Sequence, residues 1–337
     1  MTDKTTNQLR YNPVTGEWVI YATARQARPD EMRLQTRFSS PVSSYEPSCP
    51  FCPGNEQMLP GILLELGSDG GGWKVRVVPN RYPALTPEGD SAETPHGLYR
   101  AMKGIGHHEV IIESQYHDSS IDSLSPAEAK FVIEAYHRRY RELSASPGIR
   151  TVFVFRNHGA KAGASLAHPH SQIIATGLVP QSMLTRQRQA LSHLKNSSRC
   201  LFCHILEGEA HDGRRILFQN DHFVSFVPYA AESPCEIYVV PKLHRADFGD
   251  ISDNEKIGLA EALQLALARI REKLYEPDYN FVIHSAPSAD AIEAPALHWH
   301  VQIQPCLTTP AGFEMGSGMR VNPSLPEADA AFLRGSL

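Results

Sequence analysis

No apolar run in this chain approaches the roughly 18 residues that a membrane-spanning helix needs. The N-terminus, Met1-Thr-Asp-Lys-Thr-Thr-Asn-Gln8, is polar and lacks the apolar core of a secretory signal. A cytoplasmic protein without membrane partners is therefore expected. Positive charge is not in excess either: 32 Lys and Arg stand against 37 Asp and Glu, a net charge of -5. Such a balance argues against nucleic acid as a partner. The glycine-rich turn from Gly67 to Gly72 has no Gly-Lys-Ser/Thr after it, which excludes a P-loop. Cysteine is scarce, and four of the six lie in two Cys-x-x-Cys pairs, Cys49/Cys52 and Cys200/Cys203. In a reducing compartment that spacing points to metal binding or redox chemistry more than to disulfides. The other two, Cys235 and Cys306, sit in apolar runs and read as buried thiols. With 337 residues and an ordinary 42% hydrophobic content, the chain has the length of two globular domains.

The most informative stretch is Asn157-His-Gly-Ala-Lys-Ala-Gly-Ala-Ser-Leu-Ala-His168-Pro-His170-Ser-Gln172-Ile-Ile. Its first part is rich in small residues, including Gly159, Gly163 and Ser165. Such a run lets the backbone approach an anion. Its second part alternates, and alternate residues of a strand share one face. His168, His170 and Gln172 therefore form a row. One imidazole can attack phosphorus, since histidine is largely neutral near pH 7. The other can hold a metal, and the glutamine amide can steady displaced charge. A lone His-x-His is more often the polar face of an ordinary strand; the glycine loop and Gln172 in register carry the functional reading.

Along the chain, Trp18 to Tyr21 reads as a strand, and Arg25 and Arg28 could clamp phosphate oxygens, although alone they read as a solvated basic turn. Trp73 to Val78 is a strand that ends at Asn80 and Arg81, and residues 86–103 read as a polar loop. Ser125 and Ser252 each look like the N-cap of a helix, the first running to about Leu143 and the second to about Leu274. Residues 176–199 read as a polar helix or linker.

The second half replays the first. Cys200-Leu-Phe-Cys203 matches Cys49-Pro-Phe-Cys52, His244 matches His117, and His298-Trp-His300-Val-Gln302 matches His168-Pro-His170-Ser-Gln172. His117 to His168 spans 51 residues and His244 to His298 spans 54. The expected fold class is α+β: two tandem copies of one unit, each an antiparallel sheet with a flanking helix, residues 1–185 and 186–337. Each copy offers two thiolates and two imidazoles, Cys49, Cys52, His117 and His168, then Cys200, Cys203, His244 and His298. Four such N/S ligands suit a closed, structural zinc site; the bland alternative is paired buried thiols. The loop before His298 is acidic and proline-broken, a poor phosphate cradle, so the first half is expected to be catalytic and the second degenerate. A role for His300 stays open.

These residues resemble the galactose-1-phosphate uridylyltransferase family, a branch of the histidine-triad superfamily. The likeness rests on Asn157-His-Gly-Ala with His168-Pro-His170-Ser-Gln172, on Arg10-Tyr-Asn-Pro-Val-Thr-Gly-Glu-Trp-Val, and on the tail beginning Gly312-Phe313-Glu314. It covers nearly the whole chain. The resemblance implies two histidine-triad-like halves and a double displacement, in which His170 takes a nucleotide from a nucleotide sugar and passes it to a second phosphate. It implies that Gln172 binds the phosphoryl oxygens, that Asn157, Gly163, Ser165, Arg25 and Arg28 line the phosphates, and that Asn80 and Arg81 meet the ribose and base. It also implies a homodimer whose tail, with Gly312, Phe313 and Glu314, reaches the neighbour's site. The second Cys-Cys-His-His set departs from uridylyltransferases with an iron-type site and resembles the plant-type ADP-glucose phosphorylase subgroup. Uridylyl transfer between UDP-glucose and galactose 1-phosphate is the first expectation, ADP-sugar phosphorolysis the second, and a non-catalytic, zinc-stabilised nucleotide-binding protein the third.

Overall fold

The computed structural model describes residues 7–23, 43–67, 70, 72–89, 92–287 and 295–335. Arg25 and Arg28 lie outside them. The first half contributes β1 (Gln8–Asn12), β2 (Glu17–Tyr21), β3 (Leu64–Leu66), β4 (Val75–Pro79), the short hairpin β5 (Thr94–His96) and β6 (Tyr99–Ala101), β7 (Gly106–Ile112), α1 (Pro126–Ser144), β8 (Thr151–His158) and β9 (His170–Thr176). Then come α2 (Gln181–Ser197), α3 (Leu201–Asp212), β10 (Ile216–Gln219), β11 (Phe223–Phe226), β12 (Ile237–Pro241), α4 (Asp253–Leu274), β13 (Tyr279–His284), β14 (His300–Pro305), α5 (Gly312–Ser317), β15 (Arg320–Asn322) and α6 (Pro326–Arg334).

Ten strands form one sheet in the order β10-β11-β12-β14-β13-β8-β9-β7-β4-β3, every pairing antiparallel. The order reads as two five-stranded units joined back to back at β8 and β13, where Asn157 pairs with Asn280 and Phe155 with Val282. The repeat seen in the sequence is thus built as a pseudo-symmetric sheet. A smaller sheet, β1-β2-β15, ties the N-terminus to the C-terminus. Residues 94–101, expected as loop, close into the β5–β6 hairpin at Gly97, whose φ of +63° a side chain rarely adopts.

Both long helices start where the serine signals predict. The Ser125 and Ser252 hydroxyls accept the backbone N–H of Glu128 and Glu255, and each glutamate reaches back to the capping residue. α1 and α4 pack against each other and cover one face of the sheet. On β9 the side chains Ser171, Ile173 and Ala175 face that layer and are buried, while Gln172 and Ile174 on the other face are half-buried. Below β9 lies a buried ion pair, in which Arg156 donates from Nε to Glu113 at 3.0 Å with both side chains at most 1% exposed. Tyr136 donates to the same carboxylate at 2.9 Å, and Ser171 also bonds it. Removing one charge would leave the other buried and unpaired. Glu113→Ala should therefore cost about 3–5 kcal/mol, read as a fall in the urea midpoint with an unchanged slope.

The two unpaired cysteines divide. Cys235 is buried, in a tight turn before β12 at φ +57°. Cys306 corrects the reading from its apolar run: it follows β14 half-buried, and it lines a cavity described below. No helix among the described residues is long and apolar enough to cross a membrane.

Candidate active site and metal centres

His168 ends the loop before β9, and His170 opens the strand. The carbonyl of Ser114 can only accept, so the His168 Nε2 at 2.9 Å carries the proton, and its Nδ1 lone pair turns toward Cys52 Sγ at 3.6 Å and His117 Nδ1 at 3.3 Å. Cys52 Sγ also lies 3.5 Å from His117 Nδ1. Cys49 completes a set whose ligand atoms all fall within 4.8 Å of one another. The second half builds the same arrangement. His298 Nε2 donates to the Pro241 carbonyl at 2.9 Å, leaving Nδ1 at 3.8 Å from Cys200 Sγ and 3.7 Å from Cys203 Sγ, with His244 Nδ1 3.6 Å from Cys203. The local frames differ, since Cys49 and Cys52 lie in successive turns whereas Cys200 caps α3 and Cys203 sits in its first turn. Burial holds both His168 and His298 down at about 4, so each imidazole is neutral and available as a ligand. All eight residues proposed from the sequence come together as two clusters that could hold a metal ion.

His170 faces away from the helix layer. Its Nδ1 donates to the carbonyl of His168 at 2.8 Å, so the Nε2 bears the lone pair. Burial lowers its pKa from the ordinary histidine value, which also keeps it neutral. The Phe51 ring packs edge-on against it at 5.5 Å. Beside it opens a cavity of about 700 Å³ whose lining includes Asn157, Lys161, Ser165, His170, Asp278 and Cys306. The last two belong to the second half, so the site is made by both.

The small-residue loop folds more tightly than the sequence suggests. Ala160–Ala162 forms a 3-10 turn between Gly159 at φ +84° and Gly163 at φ +90°. A Cβ at Gly159 would stand 2.2 Å from the Asp278 carboxylate, so glycine is required there. The N–H of Lys161 donates to Asp278 at 2.6 Å, and those of Gly163 and Ala164 donate within the loop. These three groups are not available to a phosphate. Asn157 is available: its Nδ2 donates to no protein atom among the described residues, while its Oδ1 accepts from Asn280 Nδ2 at 2.9 Å.

Gln172 stands on the same strand face as His170. Its Oε1 accepts from His108 Nε2 at 2.7 Å. Asn80 follows β4 nearby, its Nδ2 3.1 Å from the same His108 nitrogen, and Arg81 beyond it is exposed. Gly312, Phe313 and Glu314 do not line the cavity; they form the start of the exposed helix α5, where Glu314 caps the Ala311 N–H at 2.8 Å. His108, Asn280 and Asp278 were missed by the sequence reading. None sits in a motif, and each comes from a neighbouring strand or from the other half.

The second His-x-His is closed. His300 is 3% exposed, under the Phe202 ring at 4.4 Å and beside Tyr238 at 5.1 Å. Gln302 is engaged at both ends, accepting from His284 at 2.8 Å and donating to Glu236 at 2.6 Å. Both ends of that glutamine are thus tied within the protein. The difference between the halves therefore lies in what covers the row, Phe202 of α3, as much as in the loop before it.

The model of the galactose-1-phosphate uridyl transferase N-terminal domain matches residues 1–180, and that of the C-terminal domain matches residues 185–312. ADP-glucose phosphorylase of Arabidopsis thaliana is 35% identical over 97% of this chain and 92% of its own length. Galactose-1-phosphate uridylyltransferase of Thermotoga maritima is 28% identical over 97% and 98%. Among solved structures, the Arabidopsis thaliana ADP-glucose phosphorylase with bound ADP-glucose superposes with a TM-score of 0.83 at 33% identity, covering 98% of each chain. A uridylyltransferase structure gives 0.75 at 28%, also over 98% of each. This scaffold with its His-Pro-His row is that of a nucleotidyltransferase. The chain belongs to the galactose-1-phosphate uridyl transferase family.

Proposed function

We propose that the chain transfers a nucleotidyl group from a nucleotide sugar to a second phosphate through a covalent bond to His170. The observation that carries this reading is the hydrogen bond from His170 Nδ1 to the His168 carbonyl, which leaves Nε2 as a neutral nucleophile beside amide groups, those of Asn157 and Gln172, whose NH2 ends are unengaged among the described residues. In the first step Nε2 attacks the α-phosphorus, and the bond to the bridging oxygen breaks. Sugar 1-phosphate leaves with that oxygen. In the second step an oxygen of the acceptor phosphate attacks the same phosphorus, and the N–P bond returns its electron pair to His170. Splitting the transfer in two lets one set of donors serve both transition states. Gln172 and Asn157 supply amide N–H groups to the phosphoryl oxygens, Gly163 and Ser165 shape the loop beside them, and Arg25 and Arg28 are assigned to the phosphates. Asn80 and Arg81 flank the ribose and base.

Both Cys-Cys-His-His clusters fit structural zinc. Tetrahedral bonds of about 2.3 Å to sulfur and 2.0–2.1 Å to nitrogen put S···N near about 3.5 Å and N···N near about 3.3 Å. The first cluster has 3.5, 3.6 and 3.3 Å. Zinc there would hold His168, whose carbonyl in turn holds His170; no chemical step passes through the metal. A division of the chain near residue 185, a cytoplasmic location and a homodimer complete the proposal. The dimer is supported by the exposed apolar side chains Phe313 and Met315 on α5.

Of the two nucleotides, the adenylyl reading, with inorganic phosphate as acceptor, is favoured by the higher identity to ADP-glucose phosphorylase and by the second Cys-Cys-His-His cluster. The uridylyl reading is supported by full-length likeness to the Thermotoga maritima enzyme. Intact-protein mass after mixing with ADP-glucose or UDP-glucose, without acceptor, separates them. An AMP adduct is the expected result, and a UMP adduct alone would reverse the preference. No adduct with either would favour a non-catalytic nucleotide-binding protein.

A further inference from the structure

Two amide side chains flank His170, Asn157 on the cavity wall and Gln172 on the same face of β9; among the described residues their NH2 ends are unengaged, and in each case the carbonyl end is tied to a residue that no motif contains. Gln172 Oε1 accepts from His108 Nε2 at 2.7 Å. The proton's position follows from the other side of that ring: the backbone N–H of Ala84 donates to His108 Nδ1 at 3.1 Å, so Nδ1 must be the acceptor and Nε2 must carry hydrogen. An imidazole in this tautomer admits only the carbonyl end of Gln172, and the NH2 end is turned the other way. The Asn80 amide nitrogen 3.1 Å from His108 Nε2 is then a close contact of two donors, its orientation set by the Tyr82 N–H that Asn80 Oδ1 accepts at 2.8 Å.

Asn157 is held in the same manner from the second half. Asn280 Nδ2 donates both to Asn157 Oδ1 at 2.9 Å and to the carbonyl of Ala162 at 2.8 Å, and Asn280 Oδ1 accepts from the Cys306 thiol at 3.5 Å. With that oxygen committed as an acceptor, the Asn280 amide cannot flip without losing three contacts. It fixes the amide of Asn157 and the turn of the small-residue loop together.

We infer that His108 and Asn280 are positioning residues, which lock the Gln172 and Asn157 amides with their N–H donors toward the phosphoryl group. A free primary amide can present either its oxygen or its nitrogen, and an oxygen turned to a phosphate repels it. The locks remove that choice before substrate arrives, which is the condition for a donor to act without reorganisation in the transition state. Asn280 also makes the degenerate half useful to catalysis, since it orients a donor of the first half across the β8–β13 seam. The inference rests on the proposed nucleotidyl transfer to His170.

The test is a pair of double-mutant cycles on the rate of nucleotidyl-enzyme formation with saturating ADP-glucose or UDP-glucose, whichever labels the wild-type protein. His108→Phe keeps a ring and removes the donor. It should slow labelling about tenfold or more, up to the roughly 10²–10³-fold of losing an oxyanion donor outright, with little change in the half-saturating concentration. His108→Gln, which retains an N–H, should restore most of the rate. In a Gln172→Ala background His108→Phe should add less than about twofold, because its partner is gone. Asn280→Ala should behave likewise against Asn157→Ala. Additive losses in both cycles, or an effect on half-saturation alone, would overturn the inference while leaving the covalent reaction intact. Failure of the wild-type chain to label would instead strike the proposed function. If His108→Phe does not fold, the comparison of His108→Gln with His108→Asn, whose shorter amide cannot span to Gln172, reads the same contact: equal rates for the two would count against the lock.

Discussion

Replacing His170 with alanine should abolish the nucleotidyl adduct and lower steady-state transfer by at least about 10⁴-fold, while leaving the melting temperature within a degree or two of wild type. The side chain is buried, but its contacts are few: one hydrogen bond to a backbone carbonyl and the edge of Phe51. The loss is therefore chemical. The Nδ1 nitrogens of His117 and His168 face the cysteine cluster, and the His158 ring is stacked on Tyr279 at 4.7 Å. Retained turnover in His170→Ala, measured as sugar 1-phosphate release with acceptor present, would sink the covalent mechanism. Retained binding of nucleotide sugar with no release is the expected companion result, since Asn157, Ser165 and Gln172 remain in place.

The second large effect concerns the metal. Wild-type protein should contain two zinc equivalents by elemental analysis, and Cys49→Ser should lose one and melt lower by about 10 °C or more. Cys49 is 4% exposed and packs in a cluster with Phe51, Cys52, Trp73 and Ile112, so losing the metal there disturbs a buried core as well as the ligand set. Loss of metal would also free the His168 ring from its ligand geometry, and with it the carbonyl that orients His170. Adduct formation should accordingly fall with metal content in a chelator titration. Cys203→Ser should be milder, because Cys203 is half-buried at the start of a surface helix. Unchanged metal content and melting temperature in Cys49→Ser would show the first cluster to be paired thiols and nothing more.

Much of this protein is written locally. The two serine caps announce α1 and α4 because a helix start is decided by side chains within one turn. The period-2 row His168, His170, Gln172 announces its strand because alternation is a property of the backbone. The eight Cys and His residues could be grouped from their order alone, since a repeated unit repeats its spacing and the second set tests the first. The same repeat predicted two antiparallel sheets with flanking helices.

What the linear order could not carry is everything that depends on which strands become neighbours. The two expected sheets are one, because β8 and β13 pair across the seam, and this brings Asp278 and Cys306 to a cavity assigned to the first half alone and sets Asn280 against Asn157. His108 reaches the site only because β7 lies beside β9, with His108 paired to Ile174 two residues from Gln172. The fate of His300 was likewise undecided by its motif, which matches that of His170. It is settled by Phe202 on α3, whose ring covers it, and by Glu236 and His284, which engage Gln302 at both ends. A motif states which groups a strand presents; whether that face meets solvent or a helix is set by packing between segments distant in the chain, and only the folded structure contains that information.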